Sequence, residues 1–266
     1  AASDVYKRQA VIELASDSGG EPLQGDETAV NTYTHGMFRD FDEAIIRARF
    51  DDKVTAIVIT GAGEKFFSAG ASIKMLNSVS PGFKYNFCLH ANETLLRLEH
   101  TPKLTVAALG GHCVGGGLEV AMACDLRFGT PHAKVAFLFN RVGLAGCDMG
   151  ACSMLPRLIG QGRASELLFS GRSMNAEEGA SWGFFNQIHD GENLLEQVKE
   201  SANKLIAGPN FAHSMTKTML NQEWNMSLEQ SIEAEAQAQA ICMQTEDFNR
   251  AFDAFVAKEK PSFEGN

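Results

Sequence analysis

What this chain lacks narrows its chemistry first. None of its apolar runs approaches the roughly 20 residues that a membrane-spanning helix requires. No G-x-G-x-x-G follows a strand and no G-x-x-x-x-G-K-[ST] occurs, so the common dinucleotide and nucleoside-triphosphate cradles are missing. No G-x-S-x-G elbow offers a serine nucleophile. The seven histidines show no HExxH or other metal-ligand spacing, and no metal or separate cofactor is expected. The six cysteines (Cys88, Cys113, Cys124, Cys147, Cys152 and Cys242) form no CxxC pair, and most sit in apolar surroundings. They read as thiols of a reducing compartment. With no signal-peptide pattern at the N-terminus, the expected location is the cytoplasm. Positive charge is scarce: 23 Lys and Arg stand against 33 Asp and Glu, a net charge of -10. That argues against a general nucleic-acid binder, but leaves room for a small anion held by a few local cations.

What is present suits a globular enzyme. The length of 266 residues fits one large domain, or one domain with an appendage. Residues 1–9 fit no element and are expected to lie outside the fold. Ala10–Leu14 reads as a strand, Ala15 to Thr28 as a loop, and Met37, Phe41, Ile45 and Ala48 mark a helix over 34–50. The β-branched run from Val54 to Ile59 predicts a buried strand, as does Lys103 to Leu109. Ser72 suits the N-cap of a short helix, and a long helix is expected over 83–99. Short strands are expected over 125–128, 134–137 and 184–188. Helices are expected over 150–159, 162–169, 176–182, 192–206, 211–222, 227–241 and 246–257. Strands alternate with helices early and helices dominate late, which predicts an α/β core with a helical C-terminal part.

One stretch carries visible chemistry. Gly110 to Asp125 runs from an apolar strand through Gly115-Gly116-Gly117 into an apolar helix holding a single acid, Glu119. Glycines at a helix start leave backbone N–H groups unpaired, able to hold a negative oxygen. A carboxylate one turn later can move a proton for the group that carries that oxygen. Glycines there also serve tight turns alone, so chemistry by itself leaves both readings open.

Phe67-Ser68-Ala69-Gly70-Ala71, with Ile73-Lys74 behind it, precedes the glycine stretch by about 40 residues. The pairing resembles the crotonase, or enoyl-CoA hydratase/isomerase, superfamily. Val142-Gly143-Leu144, Leu155-Pro156-Arg157, Gly171-Arg172, Trp182-Gly183 and the closing Glu246-Asp247-Phe248 to Lys260-Pro261 come in the family's order. The resemblance implies a spiral of ββα turns over 10–200 and a helical trimerisation region over 201–266. It implies a homotrimer or dimer of trimers, and an acyl-CoA thioester as substrate, with coenzyme A part of that substrate. Ala71 and Gly116 match the two backbone donors of the family's oxyanion hole, and Glu119 matches one of its two catalytic glutamates. The second glutamate is replaced: Phe139 stands there, with Asn140 beside it. Asp148 is the substitute that the chain offers, matching an aspartate of dienoyl-CoA isomerases and of 4-chlorobenzoyl-CoA dehalogenases. It is equally an N-cap for the helix near Gly150.

Hydration of a 2-enoyl-CoA is therefore the leading expectation. Double-bond isomerisation is its alternative, and a dehalogenase-like hydrolase or a non-catalytic acyl-CoA binder lies further off. Ala69, Lys74, Lys258 and Lys260 are candidate coenzyme A contacts. The first loop offers Glu21-Pro22-Leu23 where relatives often carry a basic residue. Phe83, Phe87, Phe137, Phe139 and Asn140 are candidates for the acyl pocket.

Overall fold

The computed structural model describes residues 2–6, 8–15, 31–190 and 192–266. Glu21-Pro22-Leu23 and all but the first residue of the expected first loop lie outside the described residues. The chain opens with β1 (Ala2–Tyr6), β2 (Gln9–Leu14) and β3 (Thr32–Tyr33), then α1 (His35–Phe50), β4 (Ala56–Gly61), β5 (Phe66–Ser68) and β6 (Gly70–Ala71). Next come α2 (Ile73–Ser78), α3 (Pro81–Glu99), β7 (Leu104–Leu109), β8 (His112–Val114), α4 (Gly116–Met122), β9 (Leu126–Gly129) and β10 (Lys134–Ala136). A 3-10 turn over Phe139–Val142 leads to α5 (Ala151–Ile159), α6 (Gln161–Ser170), β11 (Ser173–Asn175), α7 (Ala176–Ser181) and β12 (Gln187–Ile188). The last helices are α8 (Leu194–Ile206), α9 (Asn210–Gln222), α10 (Leu228–Cys242) and α11 (Glu246–Ala257).

Local chemistry sets many of these starts. The side chains of Thr34, Ser72, Ser80, Asn175 and Thr245 each accept the backbone N–H three residues on, at the head of α1, α2, α3, α7 and α11. Ser227 and Gln230 close a reciprocal capping box on α10.

The strands build a spiral. Three times the chain places one strand in a six-stranded sheet (order β1-β2-β4-β7-β9-β12) and the next in a four-stranded sheet (order β11-β10-β8-β5) before turning into helix. The pairs are β4 with β5, β7 with β8, and β9 with β10, and each sheet is parallel through these strands. Parallel strands bury both faces, and β4 and β7 alternate accordingly. Ile57, Ile59, Ala107 and Leu109 face the main core under α1 and α3, whereas Val58, Val106 and Ala108 face Val198 and Ala202 of α8. Full burial of a side chain such as Val58 contributes roughly 1.5–3 kcal/mol.

The described part of residues 1–9 departs from expectation. β1 pairs antiparallel with β2, from Ala2↔Glu13 to Tyr6↔Gln9. Gln9 is fully buried and its side chain donates to the Lys199 carbonyl (2.8 Å) and to Asn203 Oδ1 (2.7 Å) on α8. The donors of the Gln9 amide thus find tertiary partners, although its Oε1 has none.

Among the described residues no helix is long and apolar enough to cross a membrane. Helix α9 is tied back to the core through a polar knot. Lys217 on α9 donates to Asp125 Oδ2 (2.9 Å), Thr105 Oγ1 (3.2 Å) and the Lys103 carbonyl (3.1 Å). Asp125 also accepts from the Thr105 backbone N–H at 2.8 Å. Lys217→Met would leave that half-buried carboxylate without its cation. It should lower stability by about 2 kcal/mol, read as a shifted urea midpoint with unchanged slope.

Candidate active site

Two glycine-bearing segments meet at the centre of the site. Gly70 on β6 has φ +77°, and a Cβ there would lie 2.8 Å from the Val114 carbonyl oxygen and 2.9 Å from the Gly116 nitrogen. Only a residue without a side chain permits this approach. One step along α4, a Cβ on Gly117 would sit 2.8 Å from the Ser68 Cβ. Ser68 fixes the β5–β6 corner: its hydroxyl donates to the Asn31 carbonyl (2.8 Å) and accepts from the Gly70 N–H (3.1 Å). On the other side Gly115 turns at φ +52° and donates its N–H to the Ala136 carbonyl (3.1 Å). Gly116 is then the first residue of α4, where helix geometry supplies no intrahelical partner for its N–H. Ala71 comes directly after Gly70 on the same strand, so Ala71 and Gly116 face one cavity together.

That cavity has a volume of about 390 Å³. Ala69, Ala71, Gly115 and Gly116 form one wall, and Phe87, Phe139 and Met149 form apolar parts of the others. Asp148 is the only carboxylate among its described lining residues. Cys147, Asp148 and Met149 also line a second cavity of about 610 Å³, so this short segment separates the two.

Glu119 lies one turn into α4, fully buried, and is not itself in the cavity wall. Neither carboxyl oxygen has a hydrogen-bond partner. Burial pushes this acid well above the ordinary carboxyl range, and the negative charge of Asp148 pushes it further. Its own backbone N–H pulls the other way. Asp148 is also raised, chiefly by burial, with the Met149 N–H pulling the other way. Burial holds the neighbouring thiol of Cys113 well above its usual value and pushes that of Cys124 up to about 12.

Asp148 is not the helix cap. Gly150, at φ +87°, occupies the N-cap of α5 without any side-chain cap, and Asp148 contributes only its carbonyl, accepting from the Ala151 N–H at 2.7 Å. Its carboxyl is therefore left to the cavities.

The expected acyl-pocket set divides. Phe87 and Phe139 line the cavity. Phe137 does not: it is 1% exposed within the main core, because β10 ends at Ala136 and the side chain turns inward. Phe83 is partly exposed on α3 against His35, with ring centroids 5.5 Å apart. Asn140 is exposed and turned away, its amide donating to the Phe169 carbonyl at 2.5 Å to hold the 3-10 turn against the end of α6. Among the expected coenzyme A contacts, Ala69 lines the cavity, and Lys74 is exposed on α2 beside the cavity residue Ile73. Lys258 comes after α11 at φ +58° and Lys260 is exposed, and neither borders the cavity.

Tyr33 is the residue that sequence reasoning missed. Its two-residue strand β3 pairs parallel with β6, setting Tyr33 against Ala71, and its carbonyl accepts from the Ser72 N–H at 3.1 Å. Its ring packs edge-on against Phe38 (4.7 Å between centroids) and lies about 3.4 Å from where a Gly116 Cβ would be. No periodicity exists in two residues, so nothing in the sequence marks it.

A ββα spiral that sets paired backbone segments beside a buried acid defines a crotonase-type enzyme fold. The chain belongs to the enoyl-CoA hydratase/isomerase family, whose model matches residues 25–266. It is similar to the short-chain-enoyl-CoA hydratase of Clostridium acetobutylicum, 32% identical over 87% of this chain and 88% of that one. It is also similar to the 1,2-epoxyphenylacetyl-CoA isomerase of Escherichia coli, 27% identical over 89% and 91%. The solved structure of an enoyl-CoA hydratase from Geobacillus kaustophilus superposes with a TM-score of 0.90 at 31% identity, covering 99% of this chain and 96% of that one.

The geometry sets two expected outcomes. Gly70→Ala should force β6 away from α4 and lower turnover by about 100-fold or more, the cost typical of a lost oxyanion donor, in a steady-state assay. The second concerns Glu119, whose value in the folded chain lies above the ordinary 4.5. The folded state then keeps its proton to higher pH than the unfolded chain. The stability linked to that proton is present below about pH 4.5 and lost as pH rises toward the folded value. Glu119→Gln has no such proton, so its melting temperature should gain on that of the parent as pH rises from 4.5. A difference independent of pH would contradict the raised carboxyl.

Proposed function

We propose that this enzyme adds water across the 2,3 double bond of an enoyl-CoA thioester. The observation that carries the reading is the pair of carboxyls, Glu119 fully buried and Asp148 half-buried, electrostatically coupled beside the meeting point of Ala71 and Gly116. The thioester oxygen would lie against the Ala71 and Gly116 N–H groups, which stabilise the negative charge gathered as the enolate forms. Asp148, at the cavity wall, is the better placed to be ionised. It takes a proton from water as the water oxygen bonds to C3. Glu119, held neutral by burial, delivers a proton to C2 as the enolate collapses. One water is added, and the proton gained by Asp148 balances the one lost by Glu119. Restoring the starting state returns a proton to Glu119 and removes one from Asp148.

Isomerisation is the second reading. It is favoured by Phe139, which fills with an apolar ring the place where a second glutamate would hold water. The same two carboxyls would then shuttle one proton between carbons, and the likeness to the Escherichia coli isomerase supports this. Exposed Phe252, Phe255 and Val256 on α11 support the expected trimer, as an apolar face that assembly would cover.

Loss of the enoyl-thioester absorbance of crotonyl-CoA tests the reaction. Glu119→Gln should lower kcat by about 100-fold or more and Asp148→Asn by a comparable factor. Retained turnover in either removes that residue from the mechanism. In heavy water, a product heavier by one water supports hydration, and a shifted double bond without added oxygen supports isomerisation.

A further inference from the structure

The chamber facing Ala71 and Gly116 is defined as much by what its walls lack as by what they hold. Among its described lining residues there is no serine, threonine, side-chain amide, histidine or cation, and the one charge is Asp148. An acyl group with a second carboxylate would find no positive partner there and would face a like charge. What the walls offer instead is aromatic surface. Tyr33, Phe38 and Phe87 form an edge-to-face row from β3 through α1 to α3, with ring centroids 4.7 Å apart at 73° and then 5.8 Å apart at 89°. All three border the chamber. The row starts at the proposed thioester end, where Tyr33 pairs with Ala71 and its ring lies about 3.4 Å from where a Gly116 Cβ would be. It ends at Phe87, where Ala91, one turn on along α3, presents only a methyl group to the chamber. Phe139, on the 3-10 turn, adds its ring to the lining.

Size points the same way. The chamber's volume of about 390 Å³ is more than twice the roughly 150 Å³ in which a dry apolar cavity takes up benzene. It has room for a ring beyond a reacting double bond, and a short crotonyl group would leave that room unfilled. We infer that the acyl group taken into this site ends in an aromatic ring: the substrate is a 2-enoyl-CoA with an aryl substituent on C3, its ring laid along Tyr33, Phe38 and Phe87. This names the substrate class of the proposed hydration and rests on that reading for the place of the thioester. A ring gains edge-to-face contacts beyond the burial of its area. A straight chain filling the same space must freeze several torsions that a ring does not have.

Calorimetric titration of the parent protein tests this without turnover. The probes are 3-phenylpropanoyl-CoA, butanoyl-CoA and the straight-chain saturated acyl-CoA with as many acyl carbons as the first. The aryl thioester should bind about tenfold or more tightly than either of the others. Equal or tighter binding of either straight-chain thioester overturns the proposal. Phe87→Leu keeps apolar bulk and removes one ring, and should shrink the preference for the aryl thioester by about fivefold. An unchanged preference in a folded Phe87→Leu protein also counts against the ring site. In the absorbance assay the parent should show a higher kcat/KM with cinnamoyl-CoA than with crotonyl-CoA. Tight binding of the aryl thioester with no water added to cinnamoyl-CoA would sink the hydration reading and leave the ring site standing. Hydration of crotonyl-CoA with no aryl preference in binding would do the reverse.

Discussion

The site depends on one close approach, that of β6 to the first turn of α4. At Gly70 the two backbones come near enough that a single methyl group would strike both Val114 and Gly116. No side chain lies between them, so the pocket's polar wall is main chain. That wall cannot be altered by substitution without displacing a strand or a helix. The spiral is the means of holding the approach. β5 and β8 are neighbours in the smaller sheet, and each hands its chain directly to one side of the contact. The parallel strands β4 and β7 of the six-stranded sheet behind them are buried on both faces and give the two segments a rigid base.

Around that contact the protein places charge where burial resists it. Glu119 and Asp148 are both shifted toward their neutral forms, Glu119 the more deeply buried and Asp148 at the cavity wall. Both environments push their acid the same way, Glu119 by complete enclosure and Asp148 by partial burial. The cost falls on the folded state, and the knot of Lys217, Asp125 and Thr105 shows the opposite arrangement, in which a half-buried charge is fully partnered and serves cohesion.

Much of this is legible in the sequence because it is local. Thr34, Ser72 and Thr245 announce helix starts through side chains that reach only three residues. The apolar run ending at Ile59 announces a strand buried on both sides. The two segments that meet at Gly70 and Gly116 are visible as motifs, although their contact is long-range. What escapes is set by tertiary structure alone. β3 and β6 have two residues each and exist only through one another. Phe137 and Asn140 leave the pocket because β10 stops at Ala136 and a 3-10 turn rotates the residues after it. Asp148 reads equally as a cap and as a site acid, and Gly150 in the left-handed region begins the helix instead. Gln9 reads as out of place until α8 supplies its hydrogen-bond partners.

The segment Cys147-Asp148-Met149 is a partition with a cavity on each side. An acid built into such a partition has two faces through which its proton can travel. Its second face lies behind the ligand chamber, in a space bordered by Asn92, His100 and Asn221. Asp148 thus borders open space on both sides, while Glu119 is enclosed within the protein and borders neither cavity.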